Sequence, residues 1–388
     1  LSRLKITKMR QIVIIGCGII GAAIAYEMSL NPELQITVIE KNSPTQGATK
    51  AALGVLMAII SNKKKGRAWK IRQMTISRYD SLIAELESQL NRQIPFNRQG
   101  ILLVTTPTDE MANWQKFVEH RQANGFPVEM WSLEQVQEYC PQIALNQITA
   151  GIYSPQDRQV DPIALAEALI DASQMNGVKY YWHSQIDDYE TRENTDQSQV
   201  TAVHITTDNG DEYASITLPV DHLIVAAGLE SLEAIAPILP AEQQNWFLAP
   251  VLGQVLTVNL GKAMGHPDFQ PVITGEDILI VPLVKPNLPL TEYGIGATVE
   301  FPDALNMVEA QPHLLVEMHQ RAIEFCPPLA TGTITNSWSG LRPYPAGKSA
   351  PIIEKLTGWQ NIILATGHYR NGILMAPATA LMVKEMIN

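Results

Sequence analysis

The sequence predicts an α/β protein in which a Rossmann-like dinucleotide-binding domain is interleaved with an α+β domain carrying an antiparallel sheet. Three observations predict it. A strand, a glycine turn, a helix and a second strand follow one another from Ile12 to Glu40. Two further apolar runs, residues 222–228 and 361–367, each end in glycine, as core strands of such a domain do. Between these segments the chain twice changes texture, over residues 95–141 and 240–329, into strands and capped helices that do not repeat the βαβ order.

The first element is the best defined. Four apolar residues, Ile12 to Ile15, make a buried strand. Gly16 and Gly18 permit a tight turn and a close approach of backbone to a pyrophosphate, and Gly21 lets the next helix pack on the sheet. Ile19 and Ile20 open that helix, whose positive N-terminus would face the phosphates, and Ile20, Ile24 and Met28 recur at helical spacing. After a turn at Asn31 and Pro32, a second strand ends on Glu40, at the distance where a carboxylate receives a ribose, and Lys41 follows it. Glu40 favours an unphosphorylated ribose. To this point a flavin and a nicotinamide fit equally.

Further along, residues 47–56 combine small residues with an apolar tail, which suits a tight helix against a planar ligand or an Ala-rich buried helix. Tyr79, Leu82, Ile83, Leu86 and Leu90 mark one face of a long helix. In the first insertion, residues 100–104 read as a strand, Thr106 to Asp109 as a helix start, and Ser132 to Gln135 as a second one. Asp161 and Pro162 begin a helix that stops at Asn176 and Gly177. A strand at 178–182, an extended stretch to Tyr189 through Ile186, and a hairpin of 200–207 with 211–218 turned at 208–211 lead to the strand that ends at Ala227 and Gly228. Strands are expected at 255–258, 278–282 and 294–298, and a helix through Leu314, Val316, Met318 and Ile323. The dinucleotide domain is thus assigned residues 9–94, 142–239 and 330–388, and the second domain 95–141 and 240–329.

Composition narrows the function. A net charge of −11 over 388 residues argues against a nucleic-acid partner and a broadly cationic membrane face. The three cysteines, Cys17, Cys140 and Cys326, are scattered without metal-type spacing, so no metal site is expected and a reducing, cytoplasmic setting fits. The longest apolar run, 51–60, is too short to span a bilayer. The first eight residues are basic but lead into the buried strand, and read as an extension upstream of Met9.

Two late stretches are the most specific: WSGLRP at 338–343 and GHYRNGILMAP at 367–377. Together with the glycine fingerprint and the run from Thr49 to Gly54, they closely resemble the D-amino-acid oxidase family of FAD-dependent oxidoreductases, and within it the glycine oxidase branch of thiamine biosynthesis. The resemblance covers nearly the whole chain. It implies non-covalent FAD, oxidation of glycine or another small amino acid by hydride transfer to flavin N5, and dioxygen reduced to hydrogen peroxide. It also implies cofactor contacts at Thr49, Ala51, Ala52, Gly54, Ile186, Ala227, Gly228, Gly367, His368, Asn371, Gly372, Ile373 and Leu374, and a homo-oligomer.

By the same resemblance Arg342 binds the substrate carboxylate, and a planar guanidinium suits a bidentate clamp. The residues alone favour a surface arginine in a Pro-rich loop, and the family match reverses that. Arg370 reads as a second cation near the pocket or as the partner of a structural carboxylate. His368 is the nearest base, but reads better as orienting the flavin or backbone. The chain departs from the branch at Leu279, which stands where a substrate-side tyrosine is expected, and at Leu252 and Val299, where bulkier or charged residues are expected. These departures put the substrate in doubt more than the chemistry. Two other readings stay open: a D-amino-acid dehydrogenase that passes electrons to a quinone or carrier, and, through Leu279, a flavin-binding relay or assembly subunit with no amine substrate of its own.

Overall fold

The computed structural model describes residues 9–193, 197–208, 213–239 and 246–387. The expected extension before Met9, the turn at 209–211 and the start of the second insertion at 240 lie outside the described residues.

Around the glycine turn the expected βαβ unit forms. Strand Arg10–Ile15 pairs in parallel with Leu34–Ile39 on one side and His222–Val225 on the other. The six-stranded sheet is completed by Ile362–Thr366 and Ile352–Lys355 beyond His222–Val225, and by Lys179–Tyr181 beyond Leu34–Ile39. The outermost pair, Ile352–Lys355 with Ile362–Thr366, is antiparallel. Helix Ile19–Ser29 is buried on all sides and mostly apolar, its Glu27 paired with Arg78 and Lys384, and is enclosed by the sheet, the C-terminal helix Gly372–Ile387 and helix Pro162–Met175. The opposite face of the sheet is covered by an antiparallel meander, Ser184–Arg192, Gln199–Asp208 and Tyr213–Pro219, whose Val200, Val203 and Ile205 pack on Val13, Leu223 and Val225.

A second, eight-stranded sheet has a separate core. Its order is Thr333–Ala346, Phe247–Asn259, Glu292–Gly296, Ile278–Pro282, Val272–Gly275, Ile101–Thr105, Ala150–Ser154 and Glu129–Trp131. Helix Pro312–Phe325 covers it through Met318, Ala322 and Phe325, while Val316, expected on the apolar face, is 56% exposed. Two strands pair differently from the expected domain boundaries at 142 and 330. Ala150–Ser154 and Thr333–Ala346 both belong to this sheet, because each finds an antiparallel neighbour there: Ile101–Thr105 for the first and the full length of Phe247–Asn259 for the second.

Local chemistry explains most helix starts. Asp161 accepts hydrogen bonds from the Ile163 and Ala164 N–H groups at 2.9 Å, and Ser132 forms a capping box with Gln135. The start expected at Thr106 is shifted. Asp109 accepts from the Thr106 N–H at 2.7 Å and closes a turn, so the helix begins only at Met111. The long helix runs Gly66–Leu90, well beyond its predicted stretch.

Candidate functional site

A cavity of about 1180 Å³ lies between the two sheets, running from the glycine turn to the start of the C-terminal helix. Gly16, Gly18, Ile19, Ile20, Glu40 and Lys41 form one end. Gly16 sits at φ +93°, and a Cβ there would fall 2.6 Å from the Ala227 Cα, so the turn tolerates no side chain. Gly21 is not on the cavity wall. It acts behind it, where a Cβ would meet the Gly16 carbonyl oxygen at 1.9 Å, the close helix–sheet contact expected of the third glycine. The N-cap of helix Ile19–Ser29 is Gly18, which has no side chain to cap it, and the helix N-terminus opens on the cavity. Glu40 accepts from the Cys17 and Asn42 N–H groups at 2.7 and 2.9 Å, one per oxygen, which orients the carboxylate and leaves each oxygen a lone pair for a ribose hydroxyl. Lys41 pairs with Glu230 at 2.5 Å on the rim.

Small residues shape the middle of the cavity. Helix Gly47–Ala51 supplies Thr49, whose hydroxyl accepts from the Ile19 N–H at 3.0 Å and ties the helix to the glycine turn. On its other side the Trp338 indole donates to the Ala51 carbonyl at 3.2 Å, and a Cβ on Gly340 would fall 2.2 Å from the Ala51 Cβ. Of the two readings of residues 47–56, the structure therefore gives a tight helix on a ligand-sized cavity, pressed against strand Thr333–Ala346. Ala52, Gly54, Ile186, Ala227 and Gly228 also line the wall.

The far end is built by the stretch from Gly367. Gly367, His368, Gly372, Ile373 and Leu374 face the cavity. Asn371 does not: its amide oxygen accepts from Arg72 Nη2 at 3.3 Å and points its side chain away, leaving only its neighbours on the wall. Pro377 lies inside helix Gly372–Ile387, so the Ile373 carbonyl has no N–H four residues on. The buried Tyr79 hydroxyl donates to that carbonyl instead. His368 is 3% exposed, its Nε2 lies 2.9 Å from the Thr379 hydroxyl, and that hydroxyl donates to the Met375 carbonyl. Thr379 must then accept, so Nε2 carries the proton. Burial pushes the imidazole down to about 3, with Arg67 adding to the effect. His368 is a neutral structural donor and no general base at ordinary pH.

Arg342 projects over the same sheet face as Trp338 and Gly340, alternate residues of one strand. Its guanidinium lies across Gly253, where a Cβ would meet Nη2 at 2.0 Å and Cζ at 2.3 Å. Nη1 donates to the Leu252 and Thr298 carbonyls, each at 3.1 Å. Burial and the nearby Arg370 lower its proton affinity, and Glu300 opposes them. Arg370 is half-exposed and lines the cavity, with an oxygen of the highly exposed Asp277 4.0 Å from its Nη1. Leu279 lines the cavity in register with Gly296. Leu252 and Val299, expected to alter the pocket, are not on its wall.

Sequence reasoning missed Gly253, Val255, Asn336 and Tyr369, all on the wall. The Tyr369 ring meets Tyr344 edge-on at 5.1 Å, and Tyr344 meets Phe301 likewise at 5.8 Å. Tyr369 adjoins Arg370 in a motif already singled out, which was the available signal; the others depend on strand pairing. Among the described residues no cluster of three or more His, Cys, Asp or Glu could hold a metal, and no helix is long and apolar enough to cross a membrane.

Fold and site define a dinucleotide-dependent oxidoreductase. The side-chain-free turn at Gly16, the helix start with glycine at its N-cap and the half-satisfied Glu40 fit a pyrophosphate and ribose, and the cavity continues past them to a second helix start and a guanidinium. The chain belongs to the DAO family, FAD dependent oxidoreductase, which matches residues 11–386. The cofactor is FAD. The bifunctional protein ThiO/ThiG of Synechocystis sp. is 31% identical over 386 residues, 97% of this chain and 51% of that protein. The chain thus spans about half the length of such bifunctional relatives. The glycine oxidase of Geobacillus kaustophilus is 24% identical over 98% of this chain and 93% of that protein. The crystal structure of glycine oxidase from Bacillus cereus superposes with a TM-score of 0.80 at 23% identity, covering 97% of this chain and 95% of that one, which shows the shared fold.

Proposed function

We propose that the protein is an FAD-dependent oxidase of glycine or another small amino acid, with Arg342 as the carboxylate clamp. The observation that carries this reading is the guanidinium itself. Among the described residues its hydrogen-bond partners are two carbonyls that take only Nη1. Nη2 and Nε remain as donors, enough for one carboxylate held by two parallel hydrogen bonds. Relatives named glycine oxidase support the small amino acid, and those named ThiO/ThiG support a place in thiamine biosynthesis.

The chemistry that bound FAD supplies is a two-electron oxidation: the α-carbon loses a hydride, the resulting imine is hydrolysed to the 2-oxo acid, and dioxygen takes the electrons to give hydrogen peroxide. The protein's part is placement. Arg342 fixes the carboxylate and therefore the direction of the α C–H bond. Leu279, Val255 and Trp338 give the rest of this end an apolar wall that excludes water. His368 is neutral and already donates to Thr379, so the substrate must present its amine unprotonated. Cys17, on the cavity wall at the glycine turn, is buried and its thiol is pushed up by burial and by Glu40. A cytoplasmic homo-oligomer completes the proposal.

The test is an anaerobic titration of the holoprotein with glycine, sarcosine and D-alanine. Bleaching of the flavin by one of them, reversed by air with release of peroxide, is expected. Arg342→Ala should raise the Michaelis constant for that amino acid by about 30-fold or more, the loss typical of removing one partner of a desolvated charge pair. Bleaching without peroxide would transfer the acceptor role to a quinone or carrier. No bleaching by any amino acid would leave the relay-subunit reading.

A further inference from the structure

Next to Arg342 lies a buried carboxylate that the reaction does not need as an acid or base. Glu300 is 5% exposed and pairs as an isolated antiparallel bridge with Leu252. One carboxylate oxygen accepts from Gln254 Nε2 at 2.9 Å and from the Thr298 hydroxyl at 2.5 Å; the other accepts from the Gln311 N–H at 2.9 Å. Thr298 in turn accepts from the Gln254 N–H at 2.8 Å, and Gln254 Nε2 also donates to the Gln311 carbonyl at 2.8 Å. Among the described residues no Lys, Arg or His lies within ion-pair distance of Glu300. A buried carboxylate is costly unless fully hydrogen-bonded, and this one spends its acceptors on a closed ring of neutral donors.

Glu300 reaches both carbonyls that hold the arginine, the Leu252 carbonyl through its backbone and the Thr298 carbonyl through that ring. The Leu252 carbonyl accepts from the Glu300 N–H at 2.9 Å as well as from Arg342 Nη1, and the Leu252 N–H donates back to the Glu300 carbonyl at 2.9 Å. Thr298, whose carbonyl is the second acceptor for Nη1, is fixed through its hydroxyl by Glu300. Arginine carries roughly 2 kcal/mol of rotamer entropy, and Gly253 gives the guanidinium an open floor. Something must therefore set where along that floor it rests.

We propose that Glu300 is a positioning residue for the substrate carboxylate: its carboxylate, through the Thr298 hydroxyl, sets the Thr298 carbonyl beside the Leu252 carbonyl that its backbone holds, and so fixes the Arg342 guanidinium with Nη2 and Nε turned to the ligand. The inference rests on the reading of Arg342 as the carboxylate clamp. A mere anchor for the segment between Glu300 and Gln311 would affect stability without reaching Arg342, and the two roles separate in a double-mutant cycle on the holoprotein. The probe is acetate, its binding read from the visible spectrum of the bound flavin, alongside steady-state kinetics with the amino acid that reduces it.

Glu300→Ala should weaken acetate and raise the Michaelis constant by about tenfold, with the maximal rate of anaerobic flavin reduction within about twofold. Glu300→Gln, which can keep two of the three hydrogen bonds, should recover most of the loss. In an Arg342→Ala background, Glu300→Ala should add less than about twofold, since it acts through the arginine. Additive losses in the double variant, or a fall in maximal rate at an unchanged Michaelis constant, would overturn the proposal. If Glu300→Ala does not fold, Thr298→Val removes the hydroxyl that joins Glu300 to the Gln254 N–H while keeping the Thr298 carbonyl, and is read in the same way. Arg342→Ala that leaves acetate binding untouched would sink the clamp itself; a large Arg342→Ala effect beside a silent Glu300→Ala would sink only the role of Glu300.

Discussion

Adding one methyl group at Gly253 should disable carboxylate binding while leaving the fold intact. Gly253 has no left-handed backbone angle to protect, and the atoms a Cβ would meet are the end of a flexible side chain: Nη2 at 2.0 Å and Cζ at 2.3 Å. Reaching ordinary contact at about 3.5 Å requires the guanidinium to move by about 1.5 Å. The two bonds from Nη1, already 3.1 Å long, would then be broken. Hydrogen bonds to a charged group contribute about 1.5–3 kcal/mol each, and water recovers part of the loss. A net cost of about 1.5–3 kcal/mol in carboxylate binding follows, equivalent to roughly 10- to 150-fold in the Michaelis constant. The assay is the steady-state peroxide release of Gly253→Ala against wild type, with flavin content and unfolding midpoint measured on the same samples. An unchanged Michaelis constant with full flavin content would refute the argument that the arginine rests on this glycine.

Two other outcomes are expected. Tyr79→Phe removes the donor that replaces the missing Pro377 N–H, leaving the buried Ile373 carbonyl unpaired; stability to urea should fall by about 1–2 kcal/mol, with the maximal rate of flavin reduction little changed. His368 titrates near 3 when folded against its ordinary 6.5, so between these values the unfolded chain binds the extra proton. Its contribution is present above pH 6.5 and is lost as pH falls toward 3, and His368→Gln should flatten that slope of unfolding free energy by up to about one proton. An unaltered slope would place the imidazole in contact with water.

What the sequence made legible is what depends on near neighbours in the chain. The turn at Gly16 and Gly18, the carboxylate of Glu40 and the caps at Ser132 and Asp161 each act within a few residues or one βαβ unit. Arg342 and the run from Gly367 were legible through family likeness. Contacts that depend on register across distant strands were not: Gly253 beneath Arg342, Glu300 opposite Leu252, and Tyr79 reaching Ile373 from a helix 294 residues earlier. Asn371 shows the converse limit. Its place in a specific motif suggests a cofactor contact, but nothing in the motif shows that Arg72, a buried cation on a distant helix, takes its side chain. Strand Thr333–Ala346 was misassigned for the same reason, since its partner begins almost ninety positions upstream.

That strand places cofactor fit and substrate grip on one rigid element. Gly340 and Trp338 support the helix that closes the middle of the cavity, and Arg342, the next residue on the same face, carries the proposed clamp. A displacement that loosens one therefore loosens the other, so the strand offers little freedom for adapting the enzyme to a new amine. Leu279 sits three strands away on Ile278–Pro282, where its side chain reaches the cavity without bearing on that helix. On the proposed reading, a change of side chain at Leu279 alters the cavity without touching that strand, which makes the hairpin Val272–Pro282 its adjustable wall.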